Sequence, residues 1–553
     1  ERVVNPRHCV AVRITAENPE SAFQPTSGDI HELKFMSNID VWGYFSVDSS
    51  GSVHEFADSQ FGHIFASGPD RESARKACIV ALKELQIRGD IRTTTEYIIK
   101  LMQSDDFVNN KIDTDWLDGR LANHKLLSIE EGLKFSPPHD LVAACGAALQ
   151  GYQFFESRDK DFIDNIKVGQ VPSKDILNPE VVVDLIFNNT KYSTSVIQTS
   201  PQSVIIICNG ESQKILIRPL ADGGYLLNVA GKSHLAYSKN ETGGALRMTL
   251  DGHTCMFTPE YDPTKLLSSG AGKFSKQLVE NGSHVEKGEP YAEVEVMKMY
   301  MPLKTEEAGT VHFQISEGAT LGAGDVIALV TLDNPDKVIK ADVYSGTLTF
   351  VSDEDSSNKN RPHLQLREAQ AEIEYVMAGF PQSDSDVANS LSTLMTSIVS
   401  PMTPYYELEE AMSVLRGRIN GTLSEQILSF NKEYKESVEK GTHSAYPAKK
   451  IIEALFEFST TLDSGDRSIF NTQTSHVWNV AEPYLYSAEI RIMAKLTQIV
   501  ETYLEVETMF DKLSYTDVVT EIRKSMSDDL PKILRMCQSH ANLLAKNFLL
   551  VKV

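Results

Sequence analysis

Two pairs of glycines set in register, Gly282 with Gly318 and Gly288 with Gly324, each 36 residues apart, constrain the fold of this chain more than any other feature. Glycine is the default residue where a backbone must turn through the left-handed region, so equal spacing predicts two similar half-sheets facing each other across a pseudo-dyad. In each half a short alternating run, Lys273 to Val279 and Val311 to Ile315, ends in a glycine-containing turn, the pattern of short strands in a small sandwich. Between the halves lies Glu295-Val296-Met297-Lys298-Met299, which puts Lys298 on the exposed connecting hairpin. A Met-Lys-Met triplet alone would be an ordinary surface lysine. Inside this repeat it becomes an amine held out on a tight turn, sterically clear and flanked by soft apolar side chains.

Residues 266–334 resemble the biotinyl carrier domains of biotin-dependent carboxylases. Many such domains read Glu-Ala-Met-Lys-Met, and Val296 takes the alanine position here. The form Glu-Val-Met-Lys-Met followed by Met301-Pro302-Leu303 is similar to the eukaryotic-type multidomain acetyl-CoA carboxylases. Lipoyl domains share the fold but usually set their lysine between an aspartate and an alanine. The resemblance implies that Lys298 carries covalent biotin, with Glu295, Met297 and Met299 framing it for a biotin protein ligase. The ligase presents biotin as an acyl adenylate, which an unhindered amine can attack.

The flanking sequence resembles the same family, in family order. Residues 1–120 resemble the C-terminal lobe of the biotin carboxylase domain through Arg13-Ile14-Thr15-Ala16-Glu17, Val41-Trp42-Gly43-Tyr44-Phe45, Asp58-Ser59-Gln60-Phe61-Gly62-His63 and Ile91-Arg92-Thr93-Thr94. Residues 121–265 combine a helix over Pro138 to Phe155, with Leu141, Val142, Cys145, Ala148 and Leu149 at helical spacing, and strands parted by Asn188-Asn189, Asn209-Gly210, Asp222-Gly223-Gly224, Gly231 and Asp251-Gly252. An antiparallel barrel beside one long helix is the simplest packing, and by layout it resembles the interaction (BT-like) domain. Residues 335–384 read as a linker or wrapping segment, with a polar insertion at 352–358. Residues 385–553 read as helices and resemble the start of the family's central region. The fold class expected is therefore multidomain α+β: a partial ATP-grasp C-lobe, a helix with an antiparallel β-barrel, a flattened biotinyl/lipoyl-type sandwich and an all-α region.

The resemblance further implies an internal segment of an acetyl-CoA carboxylase that carries carboxylated biotin from an ATP-dependent biotin carboxylase site to a carboxyltransferase site, where acetyl-CoA becomes malonyl-CoA. Those two parts of the same polypeptide are the implied partners, with a homodimer in the full-length enzyme. ATP and a divalent metal are needed only there, because the ATP-grasp lobe and the catalytic strand would precede Glu1. No catalytic residue is transferred onto this chain. The alternatives are another acyl-CoA or pyruvate carboxylase, and a noncatalytic assembly scaffold. Expected location is cytoplasmic, with a plastid as the alternative.

Composition narrows the remaining classes. A net charge of -23 opposes nucleic-acid or anionic-membrane binding, and no apolar run reaches spanning length. Six scattered cysteines lack Cys-x-x-Cys spacing and read as free thiols. Gly231-Lys232-Ser233 and Gly272-Lys273 lack the leading glycine of a phosphate loop, since Leu226 and Leu267 stand there. No histidine pair suggests a metal site. Trp42 and His63 are read as packing residues.

Overall fold

A computed structural model describes residues 7–19, 23–54, 57–122, 137–241, 244–260, 262–268, 272–296, 299–322, 324–333, 341–350, 361–442, 445–511 and 513–546. The polar stretch 352–358 lies outside them. The first region is built on a three-stranded antiparallel sheet in which Gln60–Gly68 runs between His8–Thr15 and Val41–Phe45. Asp70 caps the helix Arg71–Glu84 by accepting from the Ser73 amide at 2.8 Å, and the stripe Ala74, Cys78, Ala81 and Leu82 is buried as its spacing predicts. A second sheet sets Gly28–Lys34 between Ser52–Val53 and Gln86–Gly89. Ile14, Ile30, Ile64, Leu82 and Met102 share one core. Trp42 and His63 both stack on Phe65, the partly buried packing role expected of them.

The second region is a helix with a sheet wrapped around it. Strands from Glu180–Phe187 to His253–Phe257 pair antiparallel in sequence order, and a bridge between Ile186 and Thr258 joins the last strand's end to the first. Short turns make this possible: Asn188 and Asn189 both have positive φ (46° and 61°), the mirror-image turn that matches strand twist. The helix His139–Val168 is longer than the sequence stripe suggested. From Val142 to Leu149 every residue is buried, so no face of that stretch meets solvent. The small side chains explain it. An added Cβ at Gly146 would fall 2.8 Å from Cε2 of Phe257, and one at Gly151 would fall 2.5 Å from Val196 Cγ1.

The helix then leaves the barrel. Its end places Phe162 and Ile166 in a different core with Val506, Val519, Ile522 and Ile533, so one element, about 45 Å long at roughly 1.5 Å per residue, ties barrel to helical region. Gly169, at φ 90°, closes it in the left-handed cap that glycine adopts without strain. Arg247 fixes the first region to the barrel by donating to the carbonyls of Gly89 at 2.7 Å and Ile91 at 3.0 Å.

The helical region includes Pro362–Met377, Asp384–Val399, Thr403–Leu415, Gly421–Glu439, Ala448–Thr460, Ser464–Ala481, Ala488–Phe510, Tyr515–Ser525 and Leu530–Lys546. The segment read as linker thus contains the helix Pro362–Met377, whose Leu366 and Ile373 pack with Leu394 and Ile398. All six cysteines are free, and only Cys9 is exposed. Among the described residues no helix is long and apolar enough to cross a membrane.

Candidate functional site

Eight strands form the small sandwich: β1 (Lys265–Leu267), β2 (Gly272–Gln277), β3 (His284–Val285), β4 (Pro290–Val296), β5 (Met299–Lys304), β6 (Gly309–Phe313), β7 (Thr320–Leu321) and β8 (Val326–Leu332). One sheet has the order β1-β8-β6-β3, the other β5-β4-β2-β7. A shift of 36 residues carries β3 onto β7 and β4 onto β8, and it exchanges one sheet order for the other. The pseudo-dyad predicted from the glycines is therefore present in the topology. Gly282, Gly318, Gly288 and Gly324 have φ of 86°, 86°, 84° and 83°, which is why the repeat is written in glycine.

Equivalent positions also fill the core. Tyr291 with Ile327, Ala292 with Ala328, Val294 with Val330 and Val285 with Leu321 are all buried. Phe274 and Val311 complete a cluster made only of sandwich residues. Burial pushes the Tyr291 hydroxyl far above its ordinary pKa.

The candidate site is the end of the β4–β5 hairpin. Val296 pairs with Met299, Glu295 with Tyr300 and Val294 with Met301. Chain connectivity leaves Met297 and Lys298 to link the last pair; both lie outside the described residues. On their flanks Met299 is 48% and Tyr300 61% exposed. On the neighbouring strand β2, Lys273 is in register with Glu295 and Lys276 with Glu293, so opposite charges face each other across the outer surface of this sheet. Glu295 is partly buried.

The other end of the sandwich holds its attachments. The Pro290–Lys304 pair closes the far end of the hairpin, next to Thr305, whose amide donates to Glu289 O at 3.0 Å. Four residues beyond Thr305, Gly309 pairs with Leu332 and the next residue, Thr310, with His284, whose Nε2 meets Oδ2 of Asp333 at 2.7 Å. That carboxylate holds the His284 pKa above its ordinary value. The hairpin end is thus about 20 Å from the chain's exit, seven strand residues at roughly 3.3 Å each.

Both attachments run to one hairpin of the barrel. On entry, the Thr258 amide donates to Ile186 O at 3.0 Å. On exit, the Asp342 amide donates to Asn189 O at 2.9 Å and the Tyr344 amide to Lys191 O at 2.9 Å, making Asp342–Val343 a parallel strand on Thr190–Ser200. The Tyr344 hydroxyl donates to Asp140 at 3.0 Å, Asn209 Nδ2 donates to Gly346 O at 2.7 Å, and Leu348 is buried in the barrel core. Nothing in the sequence marks this return strand, since two exposed residues carry no periodic signal. Lys232 stands in an antiparallel hairpin, the wrong setting for a phosphate loop. No group of three His, Cys, Asp or Glu among the described residues is placed to hold a metal.

Four families match the chain in order: "Biotin carboxylase C-terminal domain" over 11–119, "Acetyl-CoA carboxylase, BT domain" over 139–258, "Biotin-requiring enzyme" over 264–330 and "Acetyl-CoA carboxylase, central region" over 331–553. Acetyl-CoA carboxylase of Saccharomyces cerevisiae is 36% identical over 99% of this chain and 24% of its own length. That of Dictyostelium discoideum is 34% identical over 96% and 23%, and acetyl-CoA carboxylase 1 of Oryza sativa subsp. japonica 33% over 99% and 24%. The chain belongs to the acetyl-CoA carboxylase family. It spans about a quarter of the length of these curated relatives. Within this acetyl-CoA carboxylase segment the match described as biotin-requiring coincides with the sandwich, and the one described as BT domain with the helix-filled barrel.

Proposed function

We propose that this segment is the biotin carrier of an acetyl-CoA carboxylase and that Lys298 is the attachment residue. The observation that carries the reading is the pairing of Val296 with Met299, which ends the β4–β5 hairpin at the end of the sandwich remote from both tethers. The residues present fit the group. At this hairpin end the exposed Met299 and Tyr300 offer uncovered apolar surface for a ring system. Glu295, Met297 and Met299 frame the lysine for a biotin protein ligase. Biotin, when attached, supplies a ring that accepts and releases a carboxyl group. The chain's own part is to hold the amine clear of the barrel and to make each transfer an intramolecular encounter.

The rest of the proposal concerns the whole enzyme. ATP and a divalent metal serve a biotin carboxylase part, acetyl-CoA is carboxylated to malonyl-CoA at a carboxyltransferase part, and the full-length protein works as a cytoplasmic homodimer. The domains divide as 1–120, 121–265, 266–334, 335–384 and 385–553. The deciding experiment is the intact mass of the chain after co-expression with a biotin ligase and free biotin, followed by peptide mapping. One biotin confined to the Lys298 peptide, lost in Lys298→Arg, is expected. A folded sandwich with no added mass would refute the carrier reading.

A further inference from the structure

The helical region holds a cavity of about 690 Å³ far along the chain from the carrier hairpin, between the helices Thr403–Leu415 and Ala488–Phe510. That volume lies within the range of small-molecule sites, roughly 300–1,000 Å³. Its floor is apolar: Leu366, Ile398 and Leu415 line it. Val414, Tyr486 and Ile490, each more than half exposed, form uncovered apolar surface on its lining.

The polar groups in this cavity are unevenly matched. Arg367 is held by Glu410 at 2.7 Å. Arg491 and Lys495, one helical turn apart on the same face, form no ion pair among the described residues, although like charges at this spacing repel. Among the described residues, Lys495 Nζ donates only to the neutral Gln370 at 3.2 Å. Arg491 stacks on Tyr484 at 4.5 Å and donates to the carbonyls of Tyr486 and Ile398, while its Nε is buried without an acceptor. Three carboxylates line the cavity: Glu410 is taken by Arg367, Glu482 is exposed to solvent, and Glu407 already accepts from the Tyr484 hydroxyl at 3.1 Å, so it is Glu407 that faces the pair from inside. Burial pushes its pKa up, against the pull of Tyr484, Arg367 and Lys495, which weakens it as a counter-ion.

We infer that this cavity is a binding site for a small amphipathic anion, an apolar body that fills the floor and one anionic group that meets Arg491 and Lys495. A neutral ligand of the same shape would leave both cations uncompensated. A cation would be repelled by them.

The test uses the 553-residue chain and two fluorescent probes with one ring system, 8-anilinonaphthalene-1-sulfonate and its neutral parent N-phenyl-1-naphthylamine. Expected is one bound sulfonate per chain, held at least about tenfold more tightly than the neutral parent, the scale of one charge-assisted contact. Lys495→Gln should remove most of that preference. Val414→Trp, which fills the cavity from a position already exposed, should abolish binding of both probes. Thermal melting of each variant establishes that it is folded. Equal affinity for the two probes, or sulfonate binding that survives both substitutions in folded protein, would overturn the assignment.

Discussion

The wrapped helix makes a quantitative prediction through Gly146 and Phe257. Phe257 is 1% exposed, and its ring occupies the space that a side chain at 146 would need. Phe257→Ala alone should destabilise the barrel by about 3–5 kcal/mol, the usual range for removing a buried ring. Gly146→Ala alone sets an overpacking cost of about 1–3 kcal/mol against a helix-propensity gain of about 1, for a net of roughly 0–2. In the double variant the new methyl enters vacated space, the overpacking disappears and the propensity gain remains. The net is then about 2–4 kcal/mol, and the two changes couple by about 1–3 kcal/mol. The assay is amide hydrogen exchange in peptides covering Val142 to Tyr152, because a multidomain chain does not unfold as one unit and exchange reads the local opening energy. Additivity within about 0.5 kcal/mol, the behaviour of independent sites, would mean that the helix does not rest on this ring, and the wrapped-helix account would fail.

Three further outcomes follow from single features. Gly282→Ala and Gly318→Ala each meet open space but force a left-handed alanine, so each should cost about 1–2 kcal/mol and the two values should match, because the pseudo-dyad gives them the same φ of 86°. Exchange within the sandwich measures both. His284 should titrate above its ordinary value by NMR, and Asp333→Asn should bring it down toward that value. Since the folded form binds the proton more tightly, this pair's stabilisation is full below the unfolded pKa and is lost as pH rises through the folded one. Arg158, 5% exposed, bonds Asp159 at 2.6 Å, Asn178 O at 2.7 Å and Gln198 at 3.2 Å. Arg158→Met leaves Asp159 without its partner and should cost about 3–5 kcal/mol, read by hydrogen exchange in peptides covering Tyr152 to Ile166.

The sandwich was legible because its turns demand one residue type. Positive φ selects glycine, and four glycines in register reveal a symmetry before any strand is placed. The barrel strands were legible for the same reason at Asn209-Gly210 and Asp251-Gly252, where both residues of each pair have positive φ. Periodicity recovered less where burial does not follow it. The stripe Leu141, Val142, Cys145, Ala148 and Leu149 is real, but Ala143, Ala144 and Ala147 on the other faces are buried as well, and alanine gives no sign of which face it turns inward. Past Phe155 the same helix is dense in charge, and Phe162, Ile163 and Ile166 are what marks its second core. Within the helical region the stripe of Ser464–Ala481 is faint, because its buried line of Phe470, Thr474, Val477 and Ala481 is broken by a hydroxyl. At the site, the hairpin was readable from local sequence. The shared anchor at Ile186–Lys191 was not, because it joins segments more than 60 residues apart and exists only in the fold.

That anchor limits how far a carrier could travel, and the shorter tether decides. Thr258 is fixed to Ile186 and β1 begins at Lys265, so residues 259–264 hold the slack on the entry side, about 20 Å when fully drawn out at roughly 3.3 Å per residue. Part of it is already engaged. Glu260 meets Lys191 at 3.4 Å, and Asp262 accepts from the Thr264 amide at 3.1 Å. Such exposed contacts cost little to break, about 0–1 kcal/mol for the ion pair. With the hairpin end another 20 Å or so beyond the tethered end, the amine sweeps a radius of about 40 Å around the anchor. If the sandwich alone does the travelling, deleting 259–261 removes about 10 Å of reach. On the carrier reading proposed above, that deletion in the full-length enzyme should leave biotin attachment unchanged, because it spares the hairpin end, and should lower overall carboxylation. Unchanged carboxylation would refute travel limited by this tether and would require the barrel to move with its passenger. The Tyr344 and Asn209 bonds, which clip the exit strand to the barrel, would then be what makes the two move as one.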